Sequence, residues 1–150
     1  MTSRWEGRLS SLRRIAFDSN ALIYLLEGRE PYTTYVARAI EMMERGEVVG
    51  LVSTVVEMEL LVKPLRDRDT GAYDRVEMFL RQRPNLTVRA VDRAVARRAA
   101  DVRARTRLSP LDAIVVATAL EERCDAIIGN DSLIASRLTG IPYLYMDDYL

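Results

Sequence analysis

Arg13-Arg14-Ile15-Ala16-Phe17-Asp18-Ser19-Asn20-Ala21-Leu22-Ile23-Tyr24-Leu25-Leu26-Glu27 changes its hydrophobic period within a few residues. Arg13 to Phe17 is short and apolar, the pattern of a strand. Asn20 to Glu27 carries helical spacing, and Asp18 stands at the junction. The same alternation continues outward. Pro31 to Arg45 is helical through Tyr32, Tyr35, Val36, Ala39, Ile40 and Met43, with Gly46 as its stop. Val48 to Val52 reads as a second strand, and Thr54 to Val62 as a helix ended by Pro64. Asp69 to Arg81 is helical, Leu86 to Ala90 a third strand, and Asp92 to Arg105 an arginine-rich helix. Ser109-Pro110 opens an apolar helix running to about Arg123. Asp125 to Ile128 is a fourth strand, Asp131 to Leu138 a short helix, and Pro142 to Tyr145 a last strand. Short strands alternating with helices predict an α/β fold, a parallel sheet covered on both faces. Sites in such sheets lie beyond the carboxyl ends of the strands.

The chain has 150 residues, enough for a single domain across residues 1–150, with residues 1–12 read as a loose N-terminal leader. Net charge is zero, so affinity for a polyanion has to come from a local patch. Lys63 is the only lysine; the remaining positive charge is arginine, suited to bidentate contacts with phosphate or carboxylate. Cys124 is the only cysteine, which excludes an internal disulfide and predicts a reducing compartment. Met1 to Arg8 lacks the apolar stretch of a signal peptide. The longest apolar run, Ala113 to Leu120, falls well short of the ~20 residues that span a bilayer. The expected location is cytoplasmic.

Histidine is absent. That excludes Ser-His-Asp and Cys-His nucleophile systems, histidine acid–base catalysis and a usual zinc site. Carboxylates, hydroxyls and arginine remain, so a hard metal ion with oxygen ligands is the natural cofactor.

Four acids are candidates for that site. Asp18 follows the first strand and Asp131 the fourth, in Ile127-Ile128-Gly129-Asn130-Asp131, which puts both on the carboxyl edge. Each also suits the N-cap of the helix that follows. Asn20 can add a neutral oxygen or orient a water. Asp112, in Ser109-Pro110-Leu111-Asp112, occupies nearly a capping box, yet it shares a helix face with Val115, Val116 and Ala119 and so points inward. In Thr54-Val55-Val56-Glu57-Met58-Glu59, Glu57 is accounted for by a capping box with Thr54. Glu59 is not, and Val55, Val56 and Val62 neighbour it on its helix. Glu59 is therefore preferred to Glu57. Gathered on one edge, the acids would raise one another's pKa values, and a divalent cation resolves that repulsion.

These residues resemble a known family. Phe17 to Leu26, Ser53 to Leu65, Leu108 to Leu120 and Ile128 to Asp131 are similar in order and spacing to the PIN domain, and most similar to its VapC branch of toxin ribonucleases. The likeness runs from Ile15 to Tyr149, and Pro142 to Asp148 is similar to the family's last strand and its exit. It implies a three-layer α/β/α sandwich with a central parallel sheet and a Mg²⁺- or Mn²⁺-dependent endoribonuclease. It further implies a homodimer and an antitoxin that blocks the site. Carried over by position, the family's acids fall on Asp18, Glu59, Asp112 and Asp131. Asp18, Asp112 and Asp131 are then the metal ligands, Glu59 orients the attacking water, and Asn130 and Ser109 give support. The products implied are a 5′-phosphate and a 3′-hydroxyl. The family often has Thr or Ser two residues before its last acid; here that position is Gly129.

Nine arginines lie from Arg81 to Arg107 against Asp92 and Asp101. Arg93 and Arg97 share a helix stripe and are the expected RNA contacts. The apolar residues between Asn20 and Met43 exceed what one covering layer needs, which predicts a dimer contact or an antitoxin groove there. The alternative reading is a catalytically inactive PIN-like domain that binds RNA or protein, against which the four retained acids speak. Phosphotransfer on an aspartate is a third reading. It lacks the second Asp two residues after the first, where this chain has Asn20, and Lys63 is misplaced for a receiver.

Overall fold

Alternate residues of the short apolar strands enter opposite cores, as the two-residue period of a strand requires. Ile15, Phe17, Val52, Ala126 and Ile128 enter one cluster of buried side chains, and Ala16, Leu51 and Ile127 the other. A computed structural model describes residues 3–150. Its sheet holds β1 (Arg14–Phe17), β2 (Val49–Ser53), β3 (Leu86–Arg89), β4 (Ala126–Gly129) and β5 (Tyr143–Tyr145) in the order β3-β2-β1-β4-β5. Every pairing is parallel. The chain winds outward from β1 in one direction through β2 and β3, then returns to β1's other side with β4 and β5. Between β1 and β4 the connections therefore leave toward opposite sides, which opens a crevice at the carboxyl ends of those two strands.

Helices α1 (Arg4–Leu9), α2 (Ser19–Glu27), α3 (Tyr32–Glu44), α4 (Thr54–Arg66) and α5 (Thr70–Gln82) cover one face. Helices α6 (Arg93–Thr106), α7 (Pro110–Glu121) and α8 (Ser132–Arg137) cover the other, and a 3₁₀ turn (Met146–Tyr149) follows β5. This is the expected α/β/α sandwich with a parallel sheet.

Three local expectations need correction. The first concerns the leader. Met1 and Thr2 lie outside the described residues, but Arg4 to Leu9 is helical, with Ser3 accepting the Glu6 N–H at 3.1 Å. Trp5 and Leu9 lie on one stripe of the helix and, with Leu12 just beyond it, are buried. Trp5 Nε1 donates to the Tyr35 carbonyl at 2.9 Å, and its ring packs on Tyr35 and Tyr149 at 5.3 and 5.0 Å.

The second concerns Pro64, which does not stop α4. The helix continues to Arg66, with Pro64 buried inside it. Burial offsets the backbone hydrogen bond that proline cannot donate.

The third concerns the start of α4, which is capped by Ser53 through Val55 N–H at 3.2 Å. Thr54 is already helical, so no capping box accounts for Glu57.

The apolar residues between Asn20 and Met43 are largely spent on the interior. Leu22, Val36 and Ile40 are buried, and Tyr24, Leu25, Tyr32 and Tyr35 are half-buried against the same core. The exposed apolar stripe lies elsewhere, on α4, where Met58, Val62 and Leu65 are 47, 50 and 62% exposed. No helix among the described residues is long and apolar enough to cross a membrane.

Candidate active site

The four acids stand at helix starts or one turn further, on segments leaving the carboxyl edge of the sheet. Asp18 still belongs to the ladder, its N–H donating to the Ile128 carbonyl at 2.9 Å. Its side chain is the N-cap of α2: Oδ1 accepts the Ser19 N–H at 2.9 Å. Asp131 caps α8, its Oδ1 accepting from Leu133 and Ile134 N–H at 2.8 and 3.1 Å. Asp112 is in the first turn of α7, where the Ser109 hydroxyl accepts its N–H at 3.3 Å. Glu59 sits in α4, one turn past its start. Capping and site duty coexist here because a carboxylate has two oxygens and a cap uses one.

Asp18 is 3% exposed, and burial pushes its carboxyl up to about 7. The Ser19 and Tyr143 hydrogen bonds pull against that shift, while the charges of Asp112 and Glu59 add to it. Glu59 is also raised, first by burial and further by Asp112, with Ser19 opposing. Asp112 is raised by burial and by Asp131, with Ser109 opposing. Asp18, Glu59 and Asp112 are thus each raised in part by another of the four. Glu57 is not among the charges that raise them, and Val62, expected to neighbour Glu59 inside, faces solvent.

Among the described residues, none of the four acids enters an ion pair with arginine or lysine. Buried like charges without a counter-charge are costly. An all-oxygen donor set of this kind fits a hard divalent cation, and no thiol or imidazole competes. No three acidic, cysteine or histidine side chains among the described residues converge on one point. An ion here therefore needs side-chain rotation or ligation through water, which Mg²⁺ favours since it keeps several of its waters.

The supporting residues act on the loops. Asn20 Oδ1 accepts the Asn130 N–H at 2.9 Å, and Asn130 Oδ1 accepts the Asp147 N–H at 3.0 Å. Both amide oxygens therefore tie segments together. Arg93 and Arg97 are exposed, but the fold does not bring them to the acids. Helix α6 runs antiparallel to α7: Arg98 pairs with Glu121 at 2.8 Å, and Arg103 reaches the Leu108 carbonyl at 3.0 Å. Glu121 is about two and a half turns beyond Asp112, and Arg97 and Arg93 lie on the far side of that pair. Beside the start of α7 stand Arg107 and Arg137, joined by an Arg137 Nη1 donation to the Arg107 carbonyl at 3.0 Å.

Tyr143 was not among the residues expected in the site. Its hydroxyl donates to Asp18 Oδ2 at 3.1 Å and accepts the Asp131 N–H at 3.0 Å. Burial, and then the Asp18 charge, push that hydroxyl's pKa far up, so it stays a proton donor. The one sequence signal was Gly129, whose missing side chain leaves room for it.

A groove of about 540 Å³ opens beside Glu59 between α2, α4 and α5. Its floor includes Ile23, Leu26, Leu60 and Val76, and Arg29, Lys63 and Arg75 also line it. Lys63 and Arg29 both pair with Glu27, at 2.9 and 2.8 Å.

Comparison with curated proteins by sequence gives no match. Among solved structures the chain is similar to VapBC2 from Rickettsia felis bound to a promoter DNA fragment. The identity is 12% and the TM-score 0.68, over 87% of this chain and 96% of that one. It is 25% identical to a chain of a toxin–antitoxin complex from Klebsiella pneumoniae, with a TM-score of 0.63 and coverage of 85% and 92%. VapC20 of Mycobacterium tuberculosis, described as a toxin cleaving the sarcin–ricin loop, aligns at 15% identity and a TM-score of 0.64. That alignment covers 85% of this chain and 98% of the other. The PIN domain family model matches residues 15–137, a span holding all four acids, and the chain belongs to the PIN domain family.

Proposed function

We propose that this protein is a Mg²⁺- or Mn²⁺-dependent endoribonuclease and the toxin of a type II toxin–antitoxin pair. One observation carries the catalytic half: Asp18, Glu59, Asp112 and Asp131 stand on separate segments, three of them raised in part by another of the set, and none pairs with a basic side chain among the described residues. Asp18, Asp112 and Asp131 would hold the ion. When bound, it offsets charge developing on the phosphodiester and acidifies the attacking water. Glu59 orients that water and accepts its proton, and burial raises its carboxyl in the direction a general base needs. Attack in line with the leaving 3′-oxygen gives a 5′-phosphate and a 3′-hydroxyl. Arg107 and Arg137, beside the start of α7, are positioned to hold flanking phosphates.

The toxin half is supported by neighbours that are toxin–antitoxin complexes. The groove beside Glu59 suits an antitoxin segment, apolar along its length, ending in a basic side chain that reaches the acids. The stripe of Met58, Val62 and Leu65 on α4 is the surface offered for a homodimer.

The test is a melting curve with chelator or Mn²⁺, beside cleavage of a labelled RNA. An ion at about a hundred times its Kd stabilises the folded wild type by roughly 2.7 kcal/mol. Asp112→Asn keeps the Ser109 cap but loses most of that gain, along with cleavage. A wild type that Mn²⁺ neither stabilises nor activates at millimolar concentration defeats the reading. The competing one, an inactive binding domain, predicts RNA retention without cleavage under the same conditions.

A further inference from the structure

The ring of Tyr143 crosses the sheet edge in an unusual way. Tyr143 opens the edge strand β5, yet its hydroxyl passes over β4 to a carboxylate at the end of β1. Gly129 is what permits the crossing. A Cβ there would fall on the Tyr143 hydroxyl and lie 2.8 Å from its Cζ, and 2.9 Å from Asp18 Cβ. Gly129 has an ordinary negative φ, so space and not backbone conformation demands glycine.

A buried tyrosine hydroxyl needs a partner, and any carbonyl would serve for stability alone. This one joins two members of the candidate site, accepting from the backbone of Asp131 and donating to Asp18. With Ser19 N–H on Oδ1 and the Tyr143 hydroxyl on Oδ2, both oxygens of Asp18 are held in a fixed orientation. Each keeps lone-pair capacity directed elsewhere. Outer partners of this kind set the aim of a ligating carboxylate.

We propose that Tyr143 is a positioning residue for the site: its hydroxyl aims Asp18 and sets the separation of Asp18 and Asp131, in space left free by Gly129. The assignment rests on the nuclease reading above. Gly129 supplies no hydroxyl of its own, and the adjacent strand supplies one across it. The pair works as a unit, glycine on β4 and tyrosine on β5.

Two variants test it. Tyr143→Phe removes one oxygen and keeps the ring. Gly129→Ala keeps the hydroxyl but drives it off Asp18. Both are measured in the full chain for RNA cleavage and for the Mn²⁺ concentration giving half the maximal rise in melting temperature. The expected result for Tyr143→Phe is a loss of about 10- to 100-fold in kcat with KM for RNA unchanged. Its half-maximal Mn²⁺ concentration should rise by a similar factor. A merely structural tyrosine would lower the melting temperature of the chelated protein and leave the Mn²⁺ midpoint where it was. Gly129→Ala should reproduce the Mn²⁺ shift; if it does not fold, Tyr143→Phe decides alone. Wild-type kcat and Mn²⁺ midpoint in Tyr143→Phe overturn the positioning role while the nuclease reading stands. A wild type with neither cleavage nor a Mn²⁺ response overturns both.

Discussion

Asn20 holds Asn130 by its backbone, Oδ1 to N–H at 2.9 Å, and so fixes the loop after β4 to the helix after β1. The two segments carry Asp18 and Asp131. Asn20→Ala leaves the half-buried Asn130 N–H without its partner, which costs about 1–3 kcal/mol. It should also reduce cleavage by about tenfold or more, because the two acids lose their common reference. Urea denaturation and single-turnover cleavage measure the two effects. Wild-type cleavage in a destabilised Asn20→Ala protein would show that the tie serves the fold alone.

The two glutamates of α4 separate cleanly. The Asp112 charge raises Glu59, and Glu57 is not among the charges acting on Asp18 or Glu59. Glu59→Gln should lower kcat by about 10²–10⁴-fold with little change in stability. Glu57→Gln should cleave within about twofold of wild type. The reverse pattern would mean that α4 presents its other face to the substrate.

The chelated protein should lose stability as pH rises. Asp18 in the fold titrates at about 7, against 3.8 for an ordinary aspartate, so between those values the folded state holds a proton that the unfolded state releases. This contribution is fully present below about pH 4 and gone once pH has passed about 7. Its ceiling is on the order of 4 kcal/mol. Glu59 and Asp112, also raised, act with the same sign. The melting temperature in chelator should therefore fall from pH 5 to pH 8, and the stabilisation gained from Mn²⁺ should grow over the same range as protons cease to compete. A melting temperature that rises with pH in chelator contradicts the burial of Asp18.

Trp5→Ala should destabilise by about 3–5 kcal/mol, as expected for a buried aromatic. It removes the hydrogen bond to Tyr35 and the packing on Tyr149 while leaving the acids untouched. The urea midpoint should drop, and kcat at temperatures well below the transition should hold. A loss under 1 kcal/mol would return the first helix to the status of a leader.

That helix shows what the sequence concealed. Its signal was present: Ser3 and Glu6 stand three apart at the start, and Trp5, Leu9 and Leu12 repeat at helical intervals. The stretch is short and polar in average composition, so its narrow stripe was outweighed. The sheet was legible because Ile15, Ala16 and Phe17 must alternate between two cores, and the strands of β2 and β4 repeat that demand. Asp18, Asp112 and Asp131 were legible because each follows a strand or opens a helix. Glu59 was preferred for a partly mistaken reason, since Val62 is exposed and no Thr54 capping box accounts for Glu57. Tyr143 was not legible at all. Its role depends on a ring reaching over a neighbouring strand, which is a fact of register and not of spacing. Arg93 and Arg97 were legible as an exposed stripe, but clustering along a chain does not say which end of a hairpin stands nearer the acids.

The central place of β1 also bears on the protein's own synthesis. Asp18 leaves the ribosome early, but its neighbours in the sheet are β2 on one side and β4 on the other, and β4 comes late. Until Ala126 to Gly129 inserts beside β1, Asp18 has no Asp131 across from it and no Ile128 carbonyl to hold its backbone. Tyr143 arrives later still. A chain that ends anywhere before β5 thus lacks Tyr143, and with it the hydroxyl that joins Asp18 to Asp131, however many of the four acids it carries. Translation order therefore makes the crevice one of the last parts of this fold to be completed.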